Sequence, residues 1–178
     1  MRAHPRIRRY AAPAEASGIE AGSIDLVTVA QALHWLTLPA FWDEARRVLR
    51  PGGILAVWTY GIQRLDHRPI DDLVETFYWS VVGPYWPPER RLVETGYRTV
   101  DFPFPEVEPP AFDMSLEWTL PAFLAYVRTW SATHRFLKER GADPVIDLGR
   151  ELEAHWGSDV RRVRWPLSLR VGRSGGPR

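Results

Sequence analysis

The sequence feature that most constrains the fold is a strand-helix-strand pattern across residues 24–58. Residues 26–30 and 54–58 are short, nearly continuous apolar runs, which are typical of strands covered on both faces in a parallel sheet. Between these runs, apolar side chains recur at helical spacing from Phe41 to Leu49. A connecting helix of this length predicts that the two strands are parallel neighbours. We therefore expect an α/β fold.

The helix between the two strands carries start and stop signals. Thr37 is predicted to cap it, and Pro39 suits its first turn. Acidic residues come early and arginines late, as the helix dipole favours. The helix is expected to stop at Pro51, Gly52 and Gly53.

Strict alternation of apolar and polar residues predicts half-buried strands at residues 112–119 and 163–171. Pro166 interrupts the second of these, and because proline cannot donate to a ladder, we expect an edge position or a bulge there. A short strand is also expected at residues 7–10. Residues 103–110 hold four prolines and are expected to be irregular.

Helical spacing and capping residues predict four further helices. They are expected at residues 69–82, 89–95, 120–140 with a break near Ser131, and 144–156 with Asp143 as cap and Pro144 at the first position. Residues 174–178 are expected to be a disordered tail. We therefore predict an ordered domain over residues 1–173, with a helical insertion at about 120–157.

Composition argues against several classes of function. The 178 residues are 45% apolar and 25% charged, which is ordinary for a globular protein, and the formal net charge of +1 gives no electrostatic case for a nucleic-acid or membrane partner. There is no cysteine, so disulfides and thiolate chemistry are excluded, and a cytoplasmic location is expected. No apolar stretch approaches the ~18 residues that a membrane helix needs.

Four segments, taken in order, carry a resemblance to a known family. They are PAEA at residues 13–16, SIDLV at 23–27, AQALHW at 30–35 and RVLRPGGIL at 47–55. Together they resemble the class I S-adenosylmethionine-dependent methyltransferases, and more narrowly the type 11 branch that includes trans-aconitate methyltransferase-like proteins. The resemblance implies a Rossmann-like α/β sheet with strand order 3-2-1-4-5-7-6.

On this resemblance, residues 7–10 are the family's third strand, and the runs at 26–30 and 54–58 are the fourth and fifth. The two alternating segments are then the sixth and seventh strands, which form an antiparallel pair at one edge of the sheet. The family also begins with a strand that leads into a glycine-rich turn and a strand that ends in an acid. Neither is found in this sequence, so we expect an N-terminally truncated methyltransferase domain.

The resemblance implies S-adenosyl-L-methionine as cofactor and places candidate contacts for it. Glu15, beside Ala14, matches the acid that accepts from the adenine amino group, and Gln31 and Ala32 follow the fourth strand, near the methyl group. His34 is the candidate catalytic residue, as a base or as a hydrogen-bond donor to the methyl acceptor. Each also has a plainer interpretation, such as a solvated loop glutamate, a glutamine that satisfies local backbone or a packed histidine.

Aromatic and arginine side chains are candidates for the contacts to the acceptor. The predicted substrate-binding residues are Trp35, Tyr85, Trp86, Trp130 and Arg128. Aromatic rings supply rigid contact area for a small molecule, and an arginine binds a carboxylate with two hydrogen bonds. At least half of the nine tryptophans are nevertheless expected to belong to the core, and any one arginine to be solvated. No metal site and no nucleophilic triad are predicted.

The predicted function is methyl transfer to a small molecule, with a carboxylic acid as one candidate acceptor. The alternative is a non-catalytic methyltransferase remnant or interaction module, because the loss of two strands would leave an apolar sheet edge that can pair with another chain. Self-association through that edge is therefore expected under this alternative. A nucleic-acid binder, suggested only by local arginine clusters, is a third and weaker hypothesis.

Overall fold

The computed structural model describes residues 4–157 and 160–175, and the chain forms two compact units. The first unit comprises Met1–Thr59, Val100–Pro110 and Leu169–Arg178, and the second comprises Tyr60–Thr99 and Ala111–Ser168. The predicted helical insertion at residues 120–157 lies within the second unit.

The strand-helix-strand pattern forms as predicted. Strand β1 spans Ile24–Ala30, helix α1 spans Leu38–Val48 and strand β2 spans Leu49–Tyr60. The two strands pair in parallel, with Leu26 opposite Ile54 and Ala30 opposite Trp58. The apolar face of α1 buries Phe41, Trp42, Ala45 and Val48, which explains why its periodicity was visible in the sequence.

The stop signal after α1 has a different role from the predicted one. The helix already ends at Val48, and the Pro-Gly-Gly segment lies inside β2. Gly52 donates its N–H to the carbonyl of Ser174, and Ser174 donates to the carbonyl of Gly53. A side chain at Gly53 would lie 2.9 Å from the Arg50 carbonyl oxygen and 3.2 Å from that of Ile24. Glycine is thus required there for close packing of backbone.

The prediction that both faces of residues 26–30 are covered is wrong. In β1 only Val29 is buried, and Leu26 is 52% exposed. The main sheet has the strand order β1-β2-β6-β3, where β6 is Leu167–Arg173 and β3 is Glu106–Val107, so β1 has one neighbour within the described chain. An apolar, β-branched run indicates that a segment forms a strand. The burial of each face of that strand depends on which other elements pack against it.

An antiparallel pair lies at the far edge of this sheet, as the fold class predicts, but its outer strand is not residues 112–119. Strand β6, Leu167–Arg173, pairs with the two-residue strand β3, Glu106–Val107, in the proline-rich stretch that was expected to be irregular. Pro105 precedes this short strand and Pro109 follows it, so neither of its two residues is itself a proline.

Residues 112–119, which were predicted to pair in the main sheet, contribute a strand to a separate two-stranded sheet. Strand β4, Ser115–Trp118, runs antiparallel to β5, Arg161–Arg164. The single strand predicted at residues 163–171 is therefore two strands, β5 and β6, separated at Trp165 and Pro166. The break falls at the proline because that residue has no N–H for a continuous ladder.

The strand predicted at residues 7–10 is absent, and these residues are irregular and exposed. Ile7 is 57% exposed and Tyr10 is 62% exposed. A β-strand forms only where a neighbour accepts and donates its ladder hydrogen bonds, and β1 pairs only with β2 in the described sheet. The prediction of the family's third strand at this position is therefore wrong.

The helices of the second unit follow the predictions closely. They are α2 at Arg68–Thr76, α3 at Arg90–Glu94, α4 at Leu120–Arg128, α5 at Ser131–Arg140 and α6 at Val145–Trp156. The predicted break near Ser131 is confirmed. Pro144 occupies the cap position of α6, which was predicted for Asp143, and the side chain of Asp143 accepts from the N–H of Val145 at 3.0 Å.

The end of the predicted helix at residues 69–82 departs from α-helical geometry. Phe77–Val81 form a π-helical turn, in which Val82 donates its N–H to the carbonyl of Phe77, five residues earlier, at 3.0 Å. π-Turns are rare and occur frequently at functional sites.

Each unit has its own apolar core. In the first unit, the Trp42 ring lies 5.6 Å from the Phe102 ring and 6.3 Å from the Phe104 ring. In the second unit, the core is a cluster of aliphatic and aromatic side chains from α2, the π-turn, α4 and α6, including Tyr78 and Phe123. Of the predicted disordered tail, Ser174 is hydrogen-bonded to β2, and residues 176–178 lie outside the described residues.

Candidate functional site

The chain turns sharply at Gln31, directly after the carboxyl end of β1. The φ angle of Gln31 is 51°, in the left-handed region that residues other than glycine rarely adopt. Its N–H donates to the carbonyl of Trp58 at 2.9 Å, and its side-chain Oε1 accepts from the Thr59 hydroxyl at 2.6 Å. Thr59 is fully buried, so the amide of Gln31 is held from beneath by the neighbouring strand.

A single 3-10 turn, Leu33–Trp35, follows Gln31 and carries the candidate base. Leu33 is buried and anchors the turn, whereas Trp35 is 59% exposed. His34 is half-buried, and its ring lies 4.7 Å from the ring of Trp35 at an angle of 48°. The turn thus presents an imidazole and an exposed indole side by side.

Glu15 lies at the start of α1. Its Oε1 accepts from the backbone N–H of Thr37, the capping residue of α1, at 2.8 Å, while the Thr37 side chain makes no capping bond. Thr37 is therefore the cap position, as predicted, but the carboxylate of Glu15 satisfies its N–H. A carboxylate accepts up to about four hydrogen bonds, so this contact leaves Glu15 able to accept another.

A cavity of about 330 Å³ lies between β1 and α1, within the first unit. Its walls are mostly apolar and include two of the predicted cofactor contacts, Ala14 and Ala32, together with Ala30 and Leu36. Ligand sites are typically apolar cavities of roughly this size with a few polar groups at the rim. Glu15 and Gln31 are the chain neighbours of these two alanines but are not among the residues that line the cavity, so their part in cofactor binding stays a prediction.

A charged cluster that was not predicted forms part of the same wall. Glu44 accepts from the Ser17 hydroxyl at 2.5 Å, from the Ser17 N–H at 2.9 Å and from Arg47 at 2.7 Å. The hydrogen bonds from Arg47 and then from Ser17 lower the pKa of Glu44 to about 2. Arg47 also donates to the carbonyl of Ile19 at 2.6 Å. The only signal in the sequence was the spacing of an acid and an arginine three residues apart on the helix.

The other predicted substrate contacts lie in the second unit. Trp86 and Trp130 surround Tyr78, with ring distances of 4.9 Å and 5.6 Å, and they lie 5.8 Å from each other. The indole N–H of Trp86 donates to the Tyr78 carbonyl at 3.3 Å. Trp130 is 9% exposed and contributes to the core of this unit.

Tyr85 and Arg128 each form a polar pair with another residue, and Tyr85 also packs against the core of this unit. The hydroxyl of Tyr85 accepts from Arg140 at 2.8 Å, and its ring lies 5.1 Å from the ring of Phe136. Arg128 donates through Nε to Asp143 at 2.8 Å. The structure thus places six of the ten predicted residues in the first unit and four in the second, and their roles stay predictions.

Among residues 4–157 and 160–175, no group of three or more His, Asp or Glu side chains has the arrangement of a metal site. Within the same ranges, every helix is too short or too polar to cross a membrane.

Comparison with known proteins places this geometry in a family. A profile described as "Methyltransferase domain" matches residues 2–57. A solved structure from Anaeromyxobacter dehalogenans, described as a type II methyltransferase, is 43% identical and superimposes with a TM-score of 0.89, over 98% of this chain and 75% of that one. A protein of Dictyostelium discoideum named as a methyltransferase is 30% identical over 141 residues.

The chain spans about half the length of this curated relative, 54%, and 78% of the chain is covered in return. The match to the solved structure is more extensive and includes both units. Identity of 43% over nearly the whole chain, combined with one shared fold, identifies the chain as a member of the class I S-adenosylmethionine-dependent methyltransferases.

Proposed function

We propose that the protein binds S-adenosyl-L-methionine and transfers its methyl group to a small-molecule acceptor. The observation that carries this proposal is the apolar cavity between β1 and α1, which Ala14 and Ala32 line and which extends to Ala30, the last residue of a parallel strand. Open α/β sheets bind ligands at such strand ends. Membership of the methyltransferase family supports the same conclusion.

The residues that are present fit the adenosyl part of this cofactor. A cavity of about 330 Å³ with apolar walls suits an adenine ring, with Ala14 and Ala32 as contact surfaces. Glu15 has acceptor capacity beyond its bond to Thr37, which suits an exocyclic amino group. When bound, the cofactor supplies an electrophilic methyl group on a sulfonium.

The chain's own residues would act mainly by alignment. Displacement at a methyl group needs no covalent enzyme intermediate, so proximity and orientation account for most of the rate. Gln31, fixed by Thr59, would orient the reacting groups. His34 would accept a proton only from an acceptor that carries one, since a carboxylate is already ionised at neutral pH.

Trp35 is the candidate acceptor contact within the first unit. The other candidates predicted from the sequence, Tyr85, Trp86, Trp130 and Arg128, belong to the second unit, and their role in acceptor binding stays a prediction. A carboxylic acid is the acceptor class that an arginine would favour. The existing pair between Arg128 and Asp143 competes with such binding, because the carboxylate of Asp143 already occupies its Nε–H. The acid class therefore has weaker support than methyl transfer itself.

Isothermal titration with S-adenosylhomocysteine tests cofactor binding. We expect one site on the folded chain, and about tenfold weaker binding by Glu15→Gln, because the amide retains an acceptor for Thr37 but loses the carboxylate charge. Glu20→Gln, an exposed position nearby, is the matched control and should bind like the parent. Absence of heat with well-folded protein would overturn the proposal.

Transfer itself is tested with methyl-labelled S-adenosylmethionine and a panel of small acids and matched neutral alcohols. Labelled esters are expected from acids if the acceptor is a carboxylate. If only the alcohols become labelled, the hypothesis of methyl transfer is supported and the hypothesis of a carboxylic acid acceptor is rejected.

A second candidate function is that of an interaction module which pairs through β1. The supporting observation is that Leu26 is 52% exposed on a strand with one described neighbour. Light scattering tests it: a dimer that Leu26→Lys converts to a monomer is expected, and a concentration-independent monomer would argue against it. The cytoplasmic location and the absence of nucleic-acid and membrane partners also stay predictions.

A further inference from the structure

We propose that the second unit carries a separate binding site for a small organic carboxylate, in a cavity of about 210 Å³ beside the π-turn. This inference goes beyond methyl transfer and does not depend on it. The cavity lies entirely within the second unit, and none of the predicted site residues is among those that line it.

Positive charge dominates the lining of this cavity. Arg64, Arg90 and Arg98 contribute three guanidinium groups, and Glu94 contributes the single carboxylate among the lining residues. Arg64 is also paired with Glu75, which lies outside the lining. The net charge of the walls therefore favours a monoanion, and Glu94 disfavours a dianion such as phosphate.

Arg90 is held in place before any ligand arrives. Its Nε donates to the Tyr78 hydroxyl at 2.8 Å, and its guanidinium carbon lies 4.6 Å from the centre of the Trp86 ring. The Tyr78 hydroxyl donates in turn to Glu94 at 3.2 Å. Burial raises the pKa of Tyr78 to about 12, so it keeps its proton for this bond. A fixed arginine loses little side-chain entropy when it binds an anion.

Arg98 provides the charge that is still available. Within residues 4–157 and 160–175 it forms no ion pair, and its side chain is exposed at the cavity. A guanidinium carries five N–H donors in a planar fork that matches a carboxylate. Arg98 and Arg90 thus combine an unpaired donor with a preorganised one.

An exposed aromatic side chain at the cavity favours a ligand with an apolar ring. The π-turn carries Trp79 at the cavity, where its indole is 52% exposed and stands edge-on to Tyr78, with ring centres 4.8 Å apart. A large apolar side chain left open beside arginines favours a ligand with a flat apolar body attached to its charge. The cavity volume of about 210 Å³ has room for a single-ring acid.

Benzoate is a suitable probe, with benzamide as its neutral counterpart. Titration of the whole chain, followed by ligand-observed NMR, is expected to show benzoate binding at least tenfold more tightly than benzamide. Equal affinities for benzoate and benzamide would show that the cavity binds through apolar contacts alone, and would overturn the proposal. Inorganic phosphate forms a third arm, and phosphate binding without benzoate binding would also overturn it.

Arg98→Gln locates the site, with Arg91→Gln as the control from an exposed neighbouring position outside the lining. The first change is expected to weaken benzoate binding about tenfold or more, and the second to leave it unchanged. Equal effects of both would indicate a diffuse surface charge instead. S-adenosylhomocysteine titrations of Arg98→Gln keep the two hypotheses apart, because an unchanged cofactor affinity is expected whether or not benzoate binds.

Discussion

The hydroxyl of Thr59 donates a 2.6 Å hydrogen bond to the side-chain oxygen of Gln31, and so ties a strained residue at the end of β1 to the fully buried floor of β2. Thr59 was not among the residues predicted for the site. Its position in β2, directly after the residue that pairs with Ala30, is what brings the hydroxyl beneath the turn.

Replacement of this hydroxyl is expected to cost both stability and ligand binding. Thr59→Val keeps the shape of the side chain but removes the donor, and it leaves Gln31 Oε1 without this bond. We expect the free energy of unfolding to fall by about 1–2 kcal/mol and S-adenosylhomocysteine to bind several-fold more weakly. Thr99→Val, at an exposed threonine, is the control and should change neither quantity by much. A variant with normal affinity would show that Gln31 needs no support from Thr59.

Because the backbone of Gln31 is left-handed, we expect a glycine variant at this position to be more stable than an alanine variant, the reverse of the usual order. Glycine adopts a φ of 51° without strain, whereas alanine pays ~1–2 kcal/mol for it. Gln31→Gly should therefore be more stable than Gln31→Ala by about 1 kcal/mol in urea denaturation, although glycine usually destabilises relative to alanine. An alanine variant of equal or greater stability would contradict the observed backbone conformation.

The cluster of Glu44, Arg47 and Ser17 predicts an acid-dependent part of the stability. The pKa of Glu44 is lowered from 4.5 to about 2 in the folded protein, so its charged form contributes stability that is complete above pH 4.5 and is lost as the pH falls toward 2. Glu44→Gln should melt about 2–6 °C below the parent at pH 7.

That difference in melting temperature should narrow between pH 4.5 and pH 3, because the parent loses its advantage while the amide does not titrate. Asp43→Asn, at the adjacent exposed acid, serves as the control and should show a small difference at both pH values. A gap that stays constant with pH would mean that Glu44 stabilises the fold by packing and not by charge.

Alanine substitutions at Gly96 and Gly141 distinguish the stability cost of steric overlap from that of backbone strain. Both have positive φ, of 61° and 71°, but a side chain at Gly96 would lie 2.3 Å from Ser168 Oγ, whereas nothing lies within 4 Å at Gly141. Gly141→Ala should cost about 1–2 kcal/mol from strain alone, and Gly96→Ala at least about 1 kcal/mol more from the overlap. Chemical denaturation of the two variants gives the comparison, and equal losses would argue against close packing at Ser168.

Local pattern predicted the elements whose signals are contained within a few residues. The parallel strand-helix-strand unit and the helix break before Ser131 were both predicted, because periodicity and helix-breaking signals depend on neighbours in sequence. The motif order around Glu15, Gln31 and His34 also pointed to the correct family. These signals were sufficient for the fold class and the family, whereas the cofactor contacts stay predictions.

What the sequence did not determine was decided by contacts between distant segments. Residues 7–10 have β-forming side chains but pair with no strand of the described residues. Glu106–Val107 form a strand between prolines because β6 lies beside them. The cover on β1, the support of Gln31 by Thr59 and the arginine cavity beside the π-turn likewise depend on residues far apart in sequence. A strand edge or a buried hydrogen bond is a property of two segments, so only the tertiary structure could assign them.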